Sequence, residues 1–192
     1  CILSLIKKGD DRMKKLLCLI LVVLTMGTMY YFSSQKGDVS TVQSDTAVSI
    51  IDQIRNEVTL KDHRLISIKE KVFNVLKQYG SKGYIVRKLA HFSIYACIGA
   101  SISLFIYVLS KRIYISSVVA MIASISYAYY DEMRQLSVVG RSGNMKDVLI
   151  DSTGAFTGVL ILLIIVVTFK GIRGFFNFLF RRNKEDEYKE NI

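Results

Sequence analysis

The chain of 192 residues carries a formal net charge of +10, and 51% of its residues are hydrophobic. This hydrophobic content is above the usual range of soluble domains, so the composition favours a membrane protein. The positive charge alone would also suit a nucleic-acid-binding protein. However, the lysines and arginines lie in short blocks beside apolar segments, without the interleaved aromatic residues of a nucleic-acid interface. We therefore expect membrane lipids, and not nucleic acid, as partners.

Four apolar segments each approach the ~20 residues that a helix needs to cross the hydrocarbon core of a bilayer. They lie at about residues 16–32, 85–109, 113–130 and 148–169. Only Ser110, Lys111 and Arg112 separate the second segment from the third, which predicts a tight helical hairpin. The predicted fold class is all-α: a polytopic membrane protein with a four-helix transmembrane bundle and an amphipathic external helical segment at residues 33–83.

The external segment between the first two spans has helical periodicity. Ser44 and Asp45 are candidate N-cap residues for a helix that carries Val48, Ile51 and Ile54 on one face. A second apolar stripe follows at spacings of three and four residues. It consists of Leu65, Ile68, Val72, Val75, Leu76 and Tyr79. We expect this segment to lie over the bundle or on the lipid headgroups, and docking into a partner's groove is the alternative.

The basic residues around the first span set the expected orientation. Five of them precede it closely, and only Lys36 follows it within fifteen residues. The five are Lys7, Lys8, Arg12, Lys14 and Lys15. Because lysine and arginine are enriched on the cytoplasmic side, the N-terminus is predicted to be cytoplasmic, and four spans return the C-terminus to that side. Residues 1–15 are then a basic cytoplasmic segment, residues 16–169 the membrane domain, and residues 170–192 a cytoplasmic interfacial tail.

In this orientation, polar side chains from three helix ends meet at the outer membrane surface. The second span starts there, the third ends there and the fourth starts there. The residues in this cluster are Arg87, Lys88, His91, Asp131, Glu132, Gln135, Arg141, Asp147 and Asp151. Ionisable groups within a membrane cost free energy and usually mark function. A network that neutralises charge and ties the helix ends together is the structural alternative.

Helical spacing adds detail to this cluster. His91 shares a helix face with Arg87, and Asp151 with Asp147, because each pair is four residues apart. The segment "GAFTG" at residues 154–158 places two glycines in a small-x-x-x-small pair beside Asp151. Such a pair lets another helix approach closely. We therefore expect a neighbouring helix to pack tightly next to Asp151.

An enzyme built on this cluster would use His91 as general acid or base, with Glu132 or Asp151 as the second acid/base or orienting group. Arg87 and Arg141 would hold a phosphate group. The other polar residues are predicted to bind substrate. These are Lys88, Asp131, Gln135 and Asp147. No metal site is predicted, because one histidine with carboxylates lacks zinc-ligand spacing, and no cofactor motif is present.

The same residues form an ordered set of motifs. R-K-x-x-H-F-x-x-Y spans Arg87–Tyr95, D-E-x-x-Q spans Asp131–Gln135, and G-R-x-G with D-V-x-x-D-x-x-G spans Gly140–Gly154. Together with "FSSQKGDVS" after the first span, this set resembles the VanZ family of small bacterial membrane proteins over residues 16–169. Val139 and Lys36 stand where that family often has proline, and these departures concern loops rather than the polar cluster.

The resemblance implies a protein of the bacterial cell membrane, from a family whose biochemical activity is unassigned. The member that gives the family its name is associated with low-level resistance to the lipoglycopeptide teicoplanin. The implied function is therefore that of a cell-envelope protein that lowers susceptibility to lipoglycopeptides such as teicoplanin. Its outward-facing polar site would bind lipid headgroups, a lipid-linked cell-wall precursor or the drug. A membrane-embedded enzyme that acts on a lipid-linked or phosphate-bearing envelope substrate is the alternative.

Overall fold

The described part of the chain folds almost entirely into helices. The computed structural model describes residues 2–59, 81–141 and 143–190, and within them it contains five helices and no strand. The helices are α1 (Ile2–Ser34), α2 (Gly37–Thr59), α3 (Lys82–Ser110), α4 (Ile113–Gln135) and α5 (Met145–Glu190). The predicted all-α fold class is confirmed.

Four of these helices are long and apolar enough to cross a membrane. Their spanning segments are Asp11–Ser34 in α1, Lys82–Ser110 in α3, Ile113–Gln135 in α4 and Met145–Asn177 in α5. Large apolar side chains on their outer faces are exposed, as expected for contact with lipid. The predicted four-helix transmembrane bundle is confirmed, and the chain is a multi-pass membrane protein. Each helix is longer than its apolar segment, because polar residues continue it at one or both ends.

A tight turn joins α3 to α4, as the sequence predicted. Lys111 adopts a left-handed conformation with a φ of 59°, and its amide donates a hydrogen bond to the carbonyl of Tyr107. The hydroxyl of Ser110 accepts a 3.2 Å hydrogen bond from the amide of Arg112. A residue other than glycine rarely adopts a positive φ, and these hydrogen bonds hold it there. The hairpin puts the start of α3 and the end of α4 at the same end of the bundle.

The backbones of α3 and α5 are in close contact. A methyl group added to Gly154 would collide with the carbonyl of Phe92, and one added to Gly158 with the carbonyl of Ala96. The tight packing predicted from the small-x-x-x-small pair is therefore confirmed. It brings Asp151, at the start of α5, alongside the first turns of α3. The buried core residues are Met29, Tyr95, Ile98, Ile102, Ala120, Ala128, Ala155 and Val159.

The turn between α1 and α2 is fastened to the loop between α4 and α5. The amide of Gly37 donates a 3.1 Å hydrogen bond to the carbonyl of Val139. Gly140 has a φ of 76°, and a side chain at Gly37 would run into its carbonyl. Because only glycine adopts this conformation freely and lacks a Cβ atom, the contact depends on glycine at both positions.

The N-cap predicted at Ser44 and Asp45 is wrong, because α2 begins earlier, at Gly37. The carbonyl in the α4–α5 loop already satisfies the first amide of the helix, and Asp38 stands in its first turn. Ser44 is buried in the middle of the helix, where its hydroxyl donates to the carbonyl of Ser40 at 2.8 Å.

α2 packs against the first turns of α3, where Gly83 lies beside Ser44 and Asp45. On its outer side, Ile51 and Ile54 are 49% and 58% exposed. The helix therefore rests on the bundle, one of the two predicted positions, and contact of its outer apolar side chains with headgroups stays a prediction. The second predicted stripe, at residues 65–79, lies outside the described residues.

Candidate functional site

A polar cavity of about 130 Å³ opens at the end of the bundle where α3 begins and α4 ends. Its walls come from α3, the end of α4, the α4–α5 loop and the start of α5. The residues that line it are Tyr84, Arg87, Lys88, His91, Gln135, Gly140, Arg141, Asn144 and Asp147. Six of the nine site residues predicted from the sequence are among them. The other three are buried, and each contacts a residue that lines the cavity.

Two arginines face this cavity. Among the described residues, Arg141 donates hydrogen bonds to neutral acceptors: the carbonyls of Gln35 and Phe32 at 3.0 and 2.9 Å, and the side-chain oxygen of Gln135 at 3.0 Å. Burial and the neighbouring Arg87 guanidinium lower the pKa of Arg141, but an arginine with so high an intrinsic value stays charged. Within the described residues, neither arginine forms an ion pair with a carboxylate. The cavity therefore presents positive charge that no carboxylate of the described residues pairs with directly.

The third cation of the cavity, Lys88, is already paired. Its ammonium group forms an ion pair with the carboxylate of Asp147, which joins α3 to α5, and both side chains are mostly buried. The ammonium also lies 5.2 Å from the centre of the Tyr84 ring, close enough for a cation–π contact. Lys88 and Asp147 thus hold the two helices together at the cavity mouth and leave the arginines to meet a ligand.

His91 and Asp151 lie next to each other beneath the cavity mouth. The distance from His91 Nδ1 to Asp151 Oδ1 is 3.8 Å, which is longer than a hydrogen bond but short enough for an ion pair with a protonated imidazole. Both residues are buried, and Asp151 Oδ2 accepts no hydrogen bond from any described residue. A histidine beside a carboxylate with a free oxygen is an arrangement that can accept or donate a proton.

Asp131 is buried behind the cavity wall and holds a residue that lines the cavity. Its carboxylate accepts hydrogen bonds from Ser33 at 2.6 Å, from Gln135 at 3.1 Å and from Arg134 at 2.8 Å. Gln135 in turn holds Arg141. Asp131 and Gln135 therefore form a chain from α1 through α4 to the loop arginine. In this arrangement Asp131 orients other side chains, and its predicted contact with substrate stays a prediction.

Glu132 points away from its neighbour Asp131 and fixes the start of α5. Its carboxylate accepts a 2.6 Å hydrogen bond from the amide of Asn144. Asn144 then caps the helix, because its side-chain oxygen accepts from the amide of Lys146 at 3.1 Å. Glu132 lines a separate depression with Met133, Tyr129 and others. Of the three predicted acid/base residues, the structure thus pairs His91 with Asp151 and places Glu132 elsewhere.

The donor set suits an anion better than a cation. In the part of the chain that the structure describes, no group of three or more His, Cys, Asp and Glu side chains is placed to hold a metal ion. His91 and Asp151 supply two potential ligands, but the positive charges of Lys88, Arg87 and Arg141 oppose the binding of a cation. The arrangement is a polar cavity rich in basic side chains, with a histidine–carboxylate pair below it.

The sequence profile of the VanZ/LLP1 family matches residues 18–166, a range that includes all nine predicted site residues. The chain belongs to the VanZ/LLP1 family. No curated protein and no solved structure matches it. In this VanZ/LLP1 chain the matched region runs from α1 into α5 and contains every residue that lines the cavity.

Some supporting residues of this VanZ/LLP1 site were not identified from the sequence. Asn144 could have been, because an asparagine directly before an apolar helical pattern is a typical N-cap. Tyr84 also has a signal, since it lies one turn before Lys88 on the same helix. Ser33 and Arg134 have no comparable signal in the sequence. Their hydrogen bonds connect α1 to α4 across about a hundred positions, and a single sequence does not show such pairings.

Proposed function

We propose that this chain is a bacterial cell-envelope protein that binds the anionic group of an amphiphile in its polar cavity, and thereby lowers susceptibility to lipoglycopeptides such as teicoplanin. The observation that carries the proposal is the pair of partly buried arginines, Arg87 and Arg141, which share one cavity and lack carboxylate partners among the described residues. Guanidinium groups bind phosphate and carboxylate through paired, charge-assisted hydrogen bonds.

The orientation of the bundle supports a function at the cell surface. The lysine-rich start of α1 favours a cytoplasmic N-terminus, and an even number of spans then makes both termini cytoplasmic. The cavity lies at the opposite end of the bundle, where α1 ends, and would face outward. A lipid-linked cell-wall precursor, a phospholipid headgroup and a lipoglycopeptide all present anionic groups there. The association of the family's name-giving member with teicoplanin resistance agrees with this location.

A second candidate function is catalysis on a lipid-linked or phosphate-bearing envelope substrate. The observation that favours it is the buried pair of His91 and Asp151, whose free carboxylate oxygen lies beside the arginine-lined cavity. In such an enzyme His91 would transfer a proton as general acid or base, and Asp151 would orient and charge-balance the imidazole. The arginines would hold the phosphate in place.

Substitution of the cavity arginines tests the binding proposal. In a strain that lacks the protein, teicoplanin susceptibility is measured after complementation with Arg87→Gln and with the Arg87→Gln, Arg141→Gln double variant. Arg112→Gln is the matched control, because Arg112 is exposed at the other end of the bundle. We expect Arg87→Gln to weaken protection at normal abundance and melting temperature, the double variant to lose protection while it is still inserted, and the control to keep it. Full protection by the double variant would contradict the proposal.

Substitution of the histidine–carboxylate pair distinguishes a binding protein from an enzyme. His91→Gln and Asp151→Asn remove proton transfer but change volume little, so they should leave the arginines in place. If the protein only binds, both variants retain phosphate binding and protection. If it is an enzyme, they retain binding but lose protection, and mass spectrometry of the cell lipids shows an accumulated lipid-linked precursor. Lower stability that is restored when both residues are replaced would instead indicate a structural pair.

A further inference from the structure

An apolar cavity of about 180 Å³ adjoins the polar one, between α2 and α3. Its apolar wall includes Val86, Ala90 and Ile94 on α3 and Ala47 on α2, with Phe32 at the end of α1. We call these residues the α2–α3 groove. Three further residues, Arg87, His91 and Arg141, line both cavities. The groove and the polar cavity are thus two compartments of one site, and they meet at the two arginines.

The surroundings of the groove are those of a surface in contact with lipid. On the outer side of α2, Val42, Ile50 and Ile54 are 66%, 50% and 58% exposed. On α3, next to the groove, Leu89 is 57% exposed. Large apolar side chains on both helices that form the groove would be unfavourable in water, but they are expected at the boundary between headgroups and hydrocarbon. The groove therefore opens where membrane lipid can reach it from the side.

We propose that the α2–α3 groove holds the hydrocarbon chain of a membrane lipid whose phosphate group lies between Arg87 and Arg141, and that this lipid enters sideways from the bilayer. This inference rests on the proposed anion-binding function and adds the class of ligand. Charge and polarity support it. The polar compartment carries two arginines that pair with no carboxylate of the described residues, and most of the surface of the adjoining groove is apolar, although Ser40, Gln43 and Ser44 on α2 also line it. A ligand with a phosphate and a hydrocarbon chain joined directly matches both compartments.

Size supports the same conclusion. Pockets that enclose a drug-sized ligand measure roughly 300–1,000 Å³. Neither the polar cavity, at about 130 Å³, nor the groove, at about 180 Å³, reaches that range alone, but the two together come close to its lower limit. The site thus has room for a headgroup phosphate and the first part of one chain. The rest of the chain would extend into the surrounding lipid.

Chain-length dependence of binding tests the groove directly. The full protein is placed in nanodiscs of phosphatidylcholine and titrated by calorimetry with inorganic phosphate and with butyl, hexyl and octyl phosphate. Each methylene buried in the groove should strengthen binding by about fourfold. Ala47→Phe and Ala90→Phe fill the groove, so we expect the affinity of each variant to stay nearly constant from inorganic phosphate to octyl phosphate, without the gain from longer chains. Ala123→Phe, at an exposed position of α4, is the control for nonspecific partitioning into the nanodisc.

The outcomes separate this inference from the function on which it rests. Normal phosphate binding with the same chain-length dependence in wild type and groove variants would overturn the groove assignment and leave the anion site standing. Absence of all phosphate binding would overturn both. The groove variants could weaken the binding of an acylated glycopeptide but of no alkyl phosphate. That result would exclude a membrane lipid as the occupant.

A crosslinking experiment on the unsubstituted protein covers the case in which a groove variant fails to fold. A long-chain alkyl phosphate with a diazirine close to its phosphate end is bound in the same nanodiscs and irradiated. We expect crosslinked peptides from the two walls of the groove, which contain Ala47 and Ala90. Crosslinks confined to the exposed faces of α4 and α5, for example near Ile122 and Phe156, would overturn the inference.

Discussion

The hydroxyl of Ser33 donates a 2.6 Å hydrogen bond to the carboxylate of Asp131, and both groups are buried. This contact joins the end of α1 to the end of α4. The same carboxylate holds Gln135, and Gln135 holds Arg141. A residue of the first helix thus helps to position an arginine in the loop between the last two. The cavity is built from all four spans, although its lining residues begin only at Tyr84.

Loss of the Ser33 hydroxyl should destabilise the protein more than loss of an exposed serine. Ser33→Ala leaves the buried Asp131 carboxylate with one donor fewer, and an unsatisfied buried polar group typically costs about 1–3 kcal/mol. Ser126→Ala is the control, because that hydroxyl is exposed and bonds only within its own helix, to the carbonyl of Ile122. Melting in detergent, followed by calorimetry, measures both variants. Equal melting temperatures for Ser33→Ala and wild type would show that the contact adds nothing.

The close approach of α3 and α5 makes a small substitution severe at one glycine and harmless at another. Gly158→Ala would force its methyl group against the carbonyl of Ala96, and we expect a loss of about 1–3 kcal/mol from overpacking. The same change at Gly171 on α5 meets no atom within 4 Å. Alanine there should be neutral or stabilising, since it favours the helix. The two melting temperatures are compared with wild type, and similar shifts would argue against the backbone contact.

The sequence predicts the spans and the assembly of the polar cluster well, for a physical reason. An apolar run of about twenty residues has few alternatives to a membrane-spanning helix, and the number of spans fixes which ends meet. The nine predicted site residues came from these constraints, and six of them line the cavity. The Gly154–Gly158 pair likewise predicts close packing, because small residues leave the backbone accessible.

The partners inside the cluster could not be predicted in the same way. Asp131 and Glu132 are adjacent in sequence, but successive residues of a helix point about 100° apart. Asp131 therefore contacts α1, whereas Glu132 contacts the loop before α5. Which neighbour each face meets depends on how the four helices are arranged around one another, and periodicity alone does not determine that. The predicted N-cap at Ser44 failed for a similar reason, since a carbonyl in the distant α4–α5 loop satisfies the start of α2.

Gln135 should influence phosphate binding indirectly, because it orients the guanidinium group of Arg141. Gln135→Leu keeps the volume of the side chain but removes the acceptor that orients Arg141, so inorganic phosphate should bind more weakly. If Gln135 acts through the guanidinium, its effect largely disappears when Arg141→Gln is already present. The double-mutant cycle should then give a coupling of about 0.5–3 kcal/mol. Arg112→Gln combined with Gln135→Leu is the control pair, and additivity of the Gln135 and Arg141 effects would contradict the relay.

Labelling of single cysteines tests the orientation on which an outward-facing cavity depends. In a background without Cys1, Cys18 and Cys97, a cysteine is introduced at Val139, which is 76% exposed in the α4–α5 loop, or at Lys111, which is exposed in the α3–α4 turn. The lysines before α1 favour a cytoplasmic N-terminus, which puts residue 139 outside and residue 111 inside. A membrane-impermeant maleimide on intact cells should therefore label the first variant alone, and both after permeabilisation. Labelling at residue 111 but not at residue 139 in intact cells would show that the topology is the reverse of the predicted one. The cavity would then face the cytoplasm, where it could not meet an extracellular glycopeptide.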